Sequence, residues 1–458
     1  MQTHNNKETR VIFWATGLML FALFFGAGNL IFPAKMGLDS GTSYITSVLG
    51  FIITGAGLPL LGVAAIAYSR ERDVQALAGR VSPFFGLAFA VLLYLSIGPL
   101  FAIPRTATVS FEMGVAPLLG ESIADPEKFE RIKPLALNVF SFLFFAVSLW
   151  MALSPGKLMD RIGKILTPAL LACIALLVGI ALIKPLGAYT APSGNYVSNP
   201  FVQGFLDGYQ TMDALAALVF AIIVIETLHV AGVRNVENQV RMTIGAGMVA
   251  AGCLAVVYFG VCYIGASSAA VTSGVDNGAA LLAKVADAYW GLFGSLVLVV
   301  IVMLACISTA VGLITSCGSY FNRICPKISY TNWAGVFTVV SYLFANKGLA
   351  GIISFSIPML MLLYPLTMVL LLLTFTHKLY GGMRSVYVSA MMLTLVIGVL
   401  DAYKQAIGFP EAVSDTLNTW IPLYGEGVGW ILPALAGMAL GWVWGKKSHS
   451  PDCGRKQI

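Results

Sequence analysis

The stretch LFALFFGAGNLIFP, residues 20–33, decides the fold that this sequence predicts. It lies inside an apolar segment long enough to cross a bilayer, yet GAGN stands at its centre and Pro33 follows shortly after. Glycine favours no single backbone conformation and proline removes a donor, so a membrane helix is weakened here. Unpaired backbone at membrane depth survives only where protein buries it or where it lines a watery cavity. The stretch therefore predicts a broken helix with a binding site, although two packing glycines in an ordinary helix explain it equally well.

The composition of the chain places it in a membrane. Hydrophobic residues make up 58% of its 458 positions, charged residues only 10%, and the mean hydropathy is +0.85. No soluble domain buries that much apolar surface, so the sequence predicts an all-α integral membrane protein surrounded by lipid. Because the apolar segments recur throughout, we expect a single membrane domain over residues 1–458 with short loops.

Charged and metal-ligating residues exclude several classes of function. The net charge of +6 is mild, and in a membrane protein it reflects cytoplasmic loops and not a nucleic-acid partner. The seven cysteines form no CxxC pair and the four histidines are far apart, so we expect no zinc site, no other cofactor and no membrane enzyme. Residues 1–10 are polar and precede a long apolar segment without a cleavage pattern, which predicts a retained first helix.

Apolar segments long enough to span a bilayer recur along the whole chain. A helix needs about 20 apolar residues to cross the hydrocarbon, which gives about twelve segments. They are approximately Val11–Pro33, Thr42–Tyr68, Pro83–Pro104, Leu135–Leu153, Ile162–Ile183, Gly204–Leu228, Thr243–Ala266, Leu292–Tyr320, Trp333–Phe344, Ile352–Phe375, Val386–Ala402 and Gly429–Trp444. If the amino terminus is cytoplasmic, the loops on that side carry most of the Lys and Arg, so the positive-inside rule places both termini in the cytoplasm.

The order of the segments indicates an internal repeat. Segments one and six are five crossings apart and so enter the membrane from opposite faces. Residues 11–183 and 204–375 would then form two five-helix halves of an inverted repeat, with residues 386–444 as two additional helices. In such a repeat the first helix of each half is discontinuous, although the middle of segment six, around Phe220, has no glycine pair.

Segment eight offers oxygen ligands for a cation. Ala305, Ser308 and Thr309 are three and four residues apart and share a helical face. Hydroxyl and freed carbonyl oxygens suit a hard, weakly charged ion, which would make this a sodium site. The alternative is that both hydroxyls bond to the preceding turn or to a neighbouring helix, as is common in membrane helices.

The broken first segment offers a complementary site for an anion. The half-helix beyond the break begins with the N–H groups of Gly26, Ala27, Gly28 and Asn29, whose partial positive charge favours a carboxylate. An amino acid would place its carboxylate there and its ammonium group on carbonyls of a facing break. Phe24, Phe25 and Phe220 would favour an apolar side chain.

Two charged residues are candidates for gating or coupling. Asp213 is costly at membrane depth, and a structural or gating role is as plausible as ion binding. Arg105 follows the unusual GPLFAIP stretch and is expected to reach the external interface or to pair with Glu112, with a gating pair as the alternative. GxxxG at Gly437 and Gly441 is explained by close helix packing.

Three stretches carry a resemblance to a known family. FFGAGNLIFP (24–33), GPLFAIPRTATVSFE (98–112) and GYQTMDALAAL (208–218) resemble the branched-chain amino acid transport system carriers, bacterial cation symporters for leucine, isoleucine and valine. The resemblance covers essentially the whole chain. It implies the leucine-transporter fold, a bacterial inner-membrane location and sodium-coupled import by alternating access.

The same resemblance implies a set of sodium ligands. In the wider fold, helix-one carbonyls and an Ala-x-x-Thr-Ser pattern on helix eight hold one sodium ion. Here Ala305, Ser308 and Thr309 match that pattern with the hydroxyl order reversed, and spacing from the break selects the carbonyls of Ala22 and Phe25. The competing interpretation is a proton-coupled transporter of small neutral amino acids in which Asp213 or Glu226 titrates.

Overall fold

A computed structural model describes residues 6–448 apart from residues 70, 72, 124, 155–166, 273 and 276. Every regular element in this described part is helical, which confirms the predicted all-α class. In chain order the α-helices are α1 (Asn6–Phe24), α2 (Ala27–Ser40), α3 (Tyr44–Ile52), α4 (Leu58–Ser69), α5 (Val74–Ala78), α6 (Pro83–Leu95), α7 (Ala102–Ser110), α8 (Ala116–Ser122), α9 (Pro126–Ala152), α10 (Thr167–Ile183), α11 (Pro200–Asp207), α12 (Asp213–Val230), α13 (Val236–Ala266), α14 (Gly278–Trp290), α15 (Leu292–Ile324), α16 (Tyr330–Ala345), α17 (Gly348–Thr376), α18 (Arg384–Ala406), α19 (Glu411–Trp420) and α20 (Ile431–Ser448).

The lengths of these helices fit a polytopic membrane protein. Within the described residues, eight helical stretches are long and apolar enough to cross a bilayer, and two further apolar helices are shorter. The predicted start of segment five at Ile162 lies outside the described residues. The predicted segments omit α14 and α19, whose 13 and 10 residues fall short of a span of about 20 residues.

The third segment is longer than the sequence predicts. Its expected end at Pro104 is wrong, because helix continues from Pro83 to Gly120. Pro104 lies in the first turn of α7, where a backbone N–H has no partner within the helix, so the proline interrupts nothing. A kink does occur just before α7, where a π-helical turn over Ser96–Leu100 contains Pro99 and the non-helical Gly98.

The helices fall into two compact units. Unit 1 combines the chain up to Tyr68 with Leu93–Ser356, and unit 2 combines Ser69–Leu92 with the chain from Ile357 onward. This division does not follow the proposed five-helix repeats, which stay a prediction. All residues of the candidate site lie in unit 1.

In each of two helix pairs of unit 1, the two helices approach each other closely through one glycine on each helix. A Cβ at Gly37 of α2 would overlap a carbonyl of α13, and a Cβ at Gly265 of α13 would overlap a carbonyl of α2. Gly50 of α3 and Gly204 of α11 are related in the same way. Such contacts are typical of small residues in membrane helices. Through these contacts α2 packs on α13, and α11 packs on α3.

Unit 2 contains the predicted GxxxG contact. Gly437 and Gly441 of α20 lie against α18, where Ser389 Oγ donates to the Gly437 carbonyl at 2.6 Å and Ser385 Oγ to the Gly441 carbonyl at 2.7 Å. Close packing explains this motif, as expected. Unit 2 also holds Arg80, whose guanidinium donates to the Glu71 carboxylate and the Tyr387 hydroxyl, each at 3.1 Å.

Candidate functional site

The predicted break of segment one, called helix one below and made of α1 and α2, is present and short. α1 ends at Phe24, α2 begins at Ala27, and Gly26 between them is extended with φ −121° and ψ −162°. The Gly26 N–H donates to Asn29 Oδ1 at 3.0 Å. The Asn29 side chain therefore caps a free backbone N–H group at the break. That N–H group of Gly26 was expected to face a carboxylate, but it is already hydrogen-bonded in this conformation.

Predicted segment six, called helix six below and made of α11 and α12, is also broken, but earlier than its apolar pattern suggests. α11 ends at Asp207, a 3₁₀ turn covers Gly208–Thr211, and α12 begins at Asp213. Met212 between them is left-handed, with φ 65° and ψ 8°, an uncommon conformation for a residue with a side chain. The break therefore precedes Phe220, which lies in the continuous helix α12.

A buried polar network joins the two breaks. Asn29 Nδ2 donates to the Asp213 carboxyl group and to the Tyr258 hydroxyl, and Tyr258 donates to Asp213 Oδ2 at 2.8 Å. Asp213 is 3% exposed, and its backbone N–H donates to Thr211 Oγ1 at 3.3 Å. The sequence singled out Asn29 and Asp213 but gave no sign that Tyr258 of α13 links them.

Arg105 lies between the two breaks. Its side chain is 3% exposed, so the expectation that it reaches the external interface is wrong. Nη1 donates to the Gln210 carbonyl at 2.7 Å and Nη2 to the Thr211 carbonyl at 3.2 Å, both at the helix-six break. The expected pairing with Glu112 is also wrong, because Glu112 pairs with Lys133 at 3.1 Å.

The two breaks and Arg105 enclose a small cavity. Gly26, Ala27, Gly28, Asn29 and Phe220 all line it, as do Arg105 and Asp213. Its volume is about 20 Å³, which is room for about one water molecule. The sequence interpretation missed Thr106, Thr211 and Met212 in the lining, although all three lie in the stretches 98–112 and 208–218.

Two phenylalanines on helix one divide between the cavity and the core. Phe24 lines the cavity and packs against Phe220, with ring centroids 5.8 Å apart. Phe25 points away and stacks on Phe21 at 5.2 Å, so within the described site its ring does not belong to the cavity lining. What Phe25 contributes to the site is its carbonyl group.

Helix one and α15, which is predicted segment eight and is called helix eight below, bring together the oxygens expected of a cation site. Ser308 Oγ lies 3.0 Å from the Ala22 carbonyl oxygen and 2.9 Å from that of Ala305. Thr309 Oγ1 lies 3.1 Å from the Leu23 carbonyl oxygen and 3.2 Å from that of Phe25. Leu23 is the one carbonyl in this set that the sequence did not single out.

The chemistry of this oxygen cluster fits a small cation. Two hydroxyl groups carry one proton each, yet four carbonyl oxygens lie within 3.2 Å of them. Each hydroxyl therefore shares one proton between two carbonyl oxygens, and a cation bound here would meet hydroxyl and carbonyl oxygens from both helices. The carbonyl end of α1 adds its partial negative charge. A Cβ at Gly26 would lie 3.0 Å from Thr309 Oγ1, so this cluster adjoins the break.

Comparison with known proteins places the whole chain in one group. The family model described as branched-chain amino acid transport protein matches residues 9–448. The branched-chain amino acid permease BrnQ of Bacillus subtilis is 43% identical over 93% of this chain and 95% of the permease. The branched-chain amino acid transport system 2 carrier protein of Pseudomonas aeruginosa is 40% identical over 93% of this chain and 94% of the carrier. These relatives are permeases and carriers and not enzymes, as the sequence predicted.

Solved structures show the same fold at low sequence identity. The nucleobase-cation-symport-1 family transporter Mhp1, in a closed conformation with bromovinylhydantoin bound, superposes with a TM-score of 0.59 at 14% identity over 95% of this chain and 93% of Mhp1. A Na⁺-coupled sialic acid symporter superposes with a TM-score of 0.57 at 13% identity, over 95% of this chain and 90% of the symporter. The likeness confirms the predicted transporter fold.

Proposed function

The chain belongs to the branched-chain amino acid transport protein family, and from this premise we propose that it is a symporter that imports leucine, isoleucine and valine with sodium ions. It is a multi-pass membrane transporter, and we place it in the bacterial inner membrane with both termini in the cytoplasm. The positive-inside distribution of Lys and Arg supports that orientation.

The observation that carries sodium coupling is the oxygen cluster between helices one and eight. The hydroxyl groups of Ser308 and Thr309 lie within 3.2 Å of four carbonyl oxygens, three of them from helix one. Hard oxygen ligands of this kind suit a small cation such as sodium. A packing hydroxyl can also reach two carbonyl oxygens, as that of Ser389 does. The proposal therefore rests on where the four oxygens lie, at the carbonyl end of α1 and beside the break.

The substrate position follows from the two breaks. Branched aliphatic side chains suit the apolar wall made by Phe24 and Phe220, and the polar groups of an amino acid suit the broken backbone opposite. Ordinary ligand pockets measure about 300 Å³ or more, whereas this cavity measures about 20 Å³. An amino acid therefore enters only when the two breaks move apart, which is the expected behaviour of alternating access.

Coupling follows from the position of Thr309. Its hydroxyl touches the Phe25 carbonyl in the cation cluster, and its side chain also lines the cavity. A cation that fixes this part of helix one also fixes one wall of the substrate site. Because binding linkage is reciprocal, each ligand then raises the affinity for the other.

Proton coupling is the second candidate, and one observation favours it. Asp213 is a buried carboxyl group that bridges the two breaks through Asn29 and Tyr258. Ionisable residues at membrane depth are typical of proton pathways. If Asp213 carried the coupling proton, the transported amino acid would follow a proton gradient and not a sodium gradient.

The deciding experiment is uptake of labelled leucine by the purified protein in liposomes. It is run with an inward sodium gradient, with an inward proton gradient, and with neither. We expect accumulation only with sodium, and competition by unlabelled isoleucine and valine but not by lysine. Accumulation driven by protons alone would overturn sodium coupling, and no leucine uptake under any gradient would overturn the proposed substrate.

A further inference from the structure

We propose that Arg105 recognises the carboxylate of the transported amino acid and so makes the site selective for zwitterions. This inference rests on the proposed function and adds to it a specificity-determining residue. It starts from the placement of the guanidinium group, which lines the cavity between the broken segments of helices one and six.

The guanidinium group occupies the acceptors that a substrate ammonium group needs. Nη1 and Nη2 donate to the carbonyls of Gln210 and Thr211 at the helix-six break, and Thr211 lines the cavity. An ammonium group entering this site competes for the same two oxygens. Arg105 therefore holds the ammonium half of the site while the cavity is contracted.

The other half of the site lies against the same guanidinium group. A Cβ at Gly28 would come 2.8 Å from Arg105 Nη2, so the first turn of α2 and the guanidinium share one edge of the cavity. The Arg105 guanidinium carbon also lies over the Phe32 ring, 5.3 Å from its centre, in a cation–π contact. A helix amino end and a guanidinium are both positive, and the planar guanidinium matches a carboxylate with two parallel hydrogen bonds.

An exchange of partners explains why a zwitterion is required. When a substrate ammonium group takes the Gln210 and Thr211 carbonyls, Arg105 loses two acceptors within a buried site. A carboxylate on the same ligand replaces them, and the number of hydrogen bonds to the guanidinium is conserved. An amine without a carboxylate would leave the guanidinium charge without those partners, which is costly in a buried site.

The test compares ligands with and without the carboxylate. Inhibition of labelled leucine uptake is measured for leucine, for leucinamide and for 3-methylbutylamine. A hydrogen bond to a charged group is worth about 1.5–3 kcal/mol, so the wild-type protein should bind leucine about 10- to 100-fold more tightly than leucinamide. Equal inhibition by leucine and leucinamide in the wild type would overturn the inference without any variant.

Variants separate recognition from folding. Arg105→Gln should weaken leucine inhibition about 10- to 100-fold. It should not weaken leucinamide inhibition and can strengthen it, because the buried guanidinium that loses its partners is gone, so the ratio of the two collapses. Arg105→Lys keeps the charge but loses the planar fork, and should give an intermediate ratio. Arg80→Gln removes an arginine of unit 2 with its own hydrogen bonds and should leave the ratio unchanged.

A second readout covers variants that transport too slowly. The purified proteins are heated with each ligand, and the rise in melting temperature gives the ratio of affinities without transport. If Arg105→Gln keeps the wild-type ratio, or weakens both ligands equally, the inference is wrong and Arg105 only supports the fold. If the wild-type protein neither transports nor is stabilised by leucine, it is the proposed function that fails.

Discussion

The polar network between the two breaks gives the most quantitative prediction. Asn29→Ala removes hydrogen bonds to the Gly26 N–H, to the Asp213 carboxyl group and to the Tyr258 hydroxyl. A neutral hydrogen bond contributes about 1 kcal/mol and one to a charged group about 1.5–3 kcal/mol, although bonds within membranes average only ~0.6 kcal/mol. We therefore expect Asn29→Ala to lower the free energy of unfolding by about 2–4 kcal/mol.

Tyr258→Phe tests the same network from its other side. It removes the hydroxyl that donates to Asp213 and accepts from Asn29, and leaves the hydrogen bond from the Gly26 N–H to Asn29 in place. We expect a loss of about 1–3 kcal/mol. Because both substitutions remove the Asn29–Tyr258 bond and both act on Asp213, the double variant should lose at least about 1 kcal/mol less than the sum of the single losses.

The assay is an equilibrium denaturant titration of the detergent-solubilised protein. It is run on the wild type, the two single variants and the double variant, which together form a double-mutant cycle. Asn138→Ala is the matched control, since that amide pairs with Asn346 and Tyr342 nearer the surface. Its loss should stay below about 1 kcal/mol. The network is not cooperative if Asn29→Ala lowers the free energy of unfolding no more than Asn138→Ala does. Cooperativity is also refuted if the losses of Asn29→Ala and Tyr258→Phe add within about 0.5 kcal/mol, the usual additivity error.

Further substitutions test the helix packing and the cation cluster. Gly265→Ala should lower the free energy of unfolding by about 1–3 kcal/mol, because its Cβ would overlap α2. Gly252→Ala on the same helix meets nothing within 4 Å and should raise the free energy of unfolding by up to about 1 kcal/mol. Similar changes in the two variants would contradict close packing at Gly265. Ser308→Ala or Thr309→Ala should raise the sodium concentration for half-maximal leucine uptake more than it lowers protein abundance, while Ser316→Ala, whose hydroxyl donates to its own preceding turn, should alter neither. Equal losses in uptake and abundance would favour a packing role for the two hydroxyls.

The first break could be predicted from the sequence because the residues that cause it lie together in one short stretch, residues 20–33. Glycine and asparagine stand together there, and the residue types themselves weaken the helix. The second break is set by tertiary contacts instead. Gly208 lies so close to the π-helical turn after α3 that a Cβ would overlap the Thr54 side chain. Met212 adopts a left-handed conformation that no composition rule favours. Such a break becomes visible only when the neighbouring helix is in place.

The candidate site shows the same division. Spacing on one helical face was enough to bring Ala305, Ser308 and Thr309 together, since helical geometry is local. The position of Arg105 was not predictable, because a charged residue near a predicted helix end is expected to reach water. In the structure the helix continues past Arg105, and the carbonyls of a break 105 residues away accept its hydrogen bonds. Tyr258 was missed for a related reason, since nothing around it in sequence is polar.

The reciprocal glycines of α2 with α13 and of α3 with α11 have a consequence for tolerance to mutation. At most apolar positions an exchange such as Leu to Met keeps the volume and costs less than about 1.5 kcal/mol. At Gly37, Gly50, Gly204 and Gly265 every possible replacement adds volume where a carbonyl oxygen already lies. No conservative substitution exists at these four positions. In a saturation-mutagenesis screen, every substitution at these four positions should therefore lower the amount of folded carrier, even though none of the four contributes a functional group.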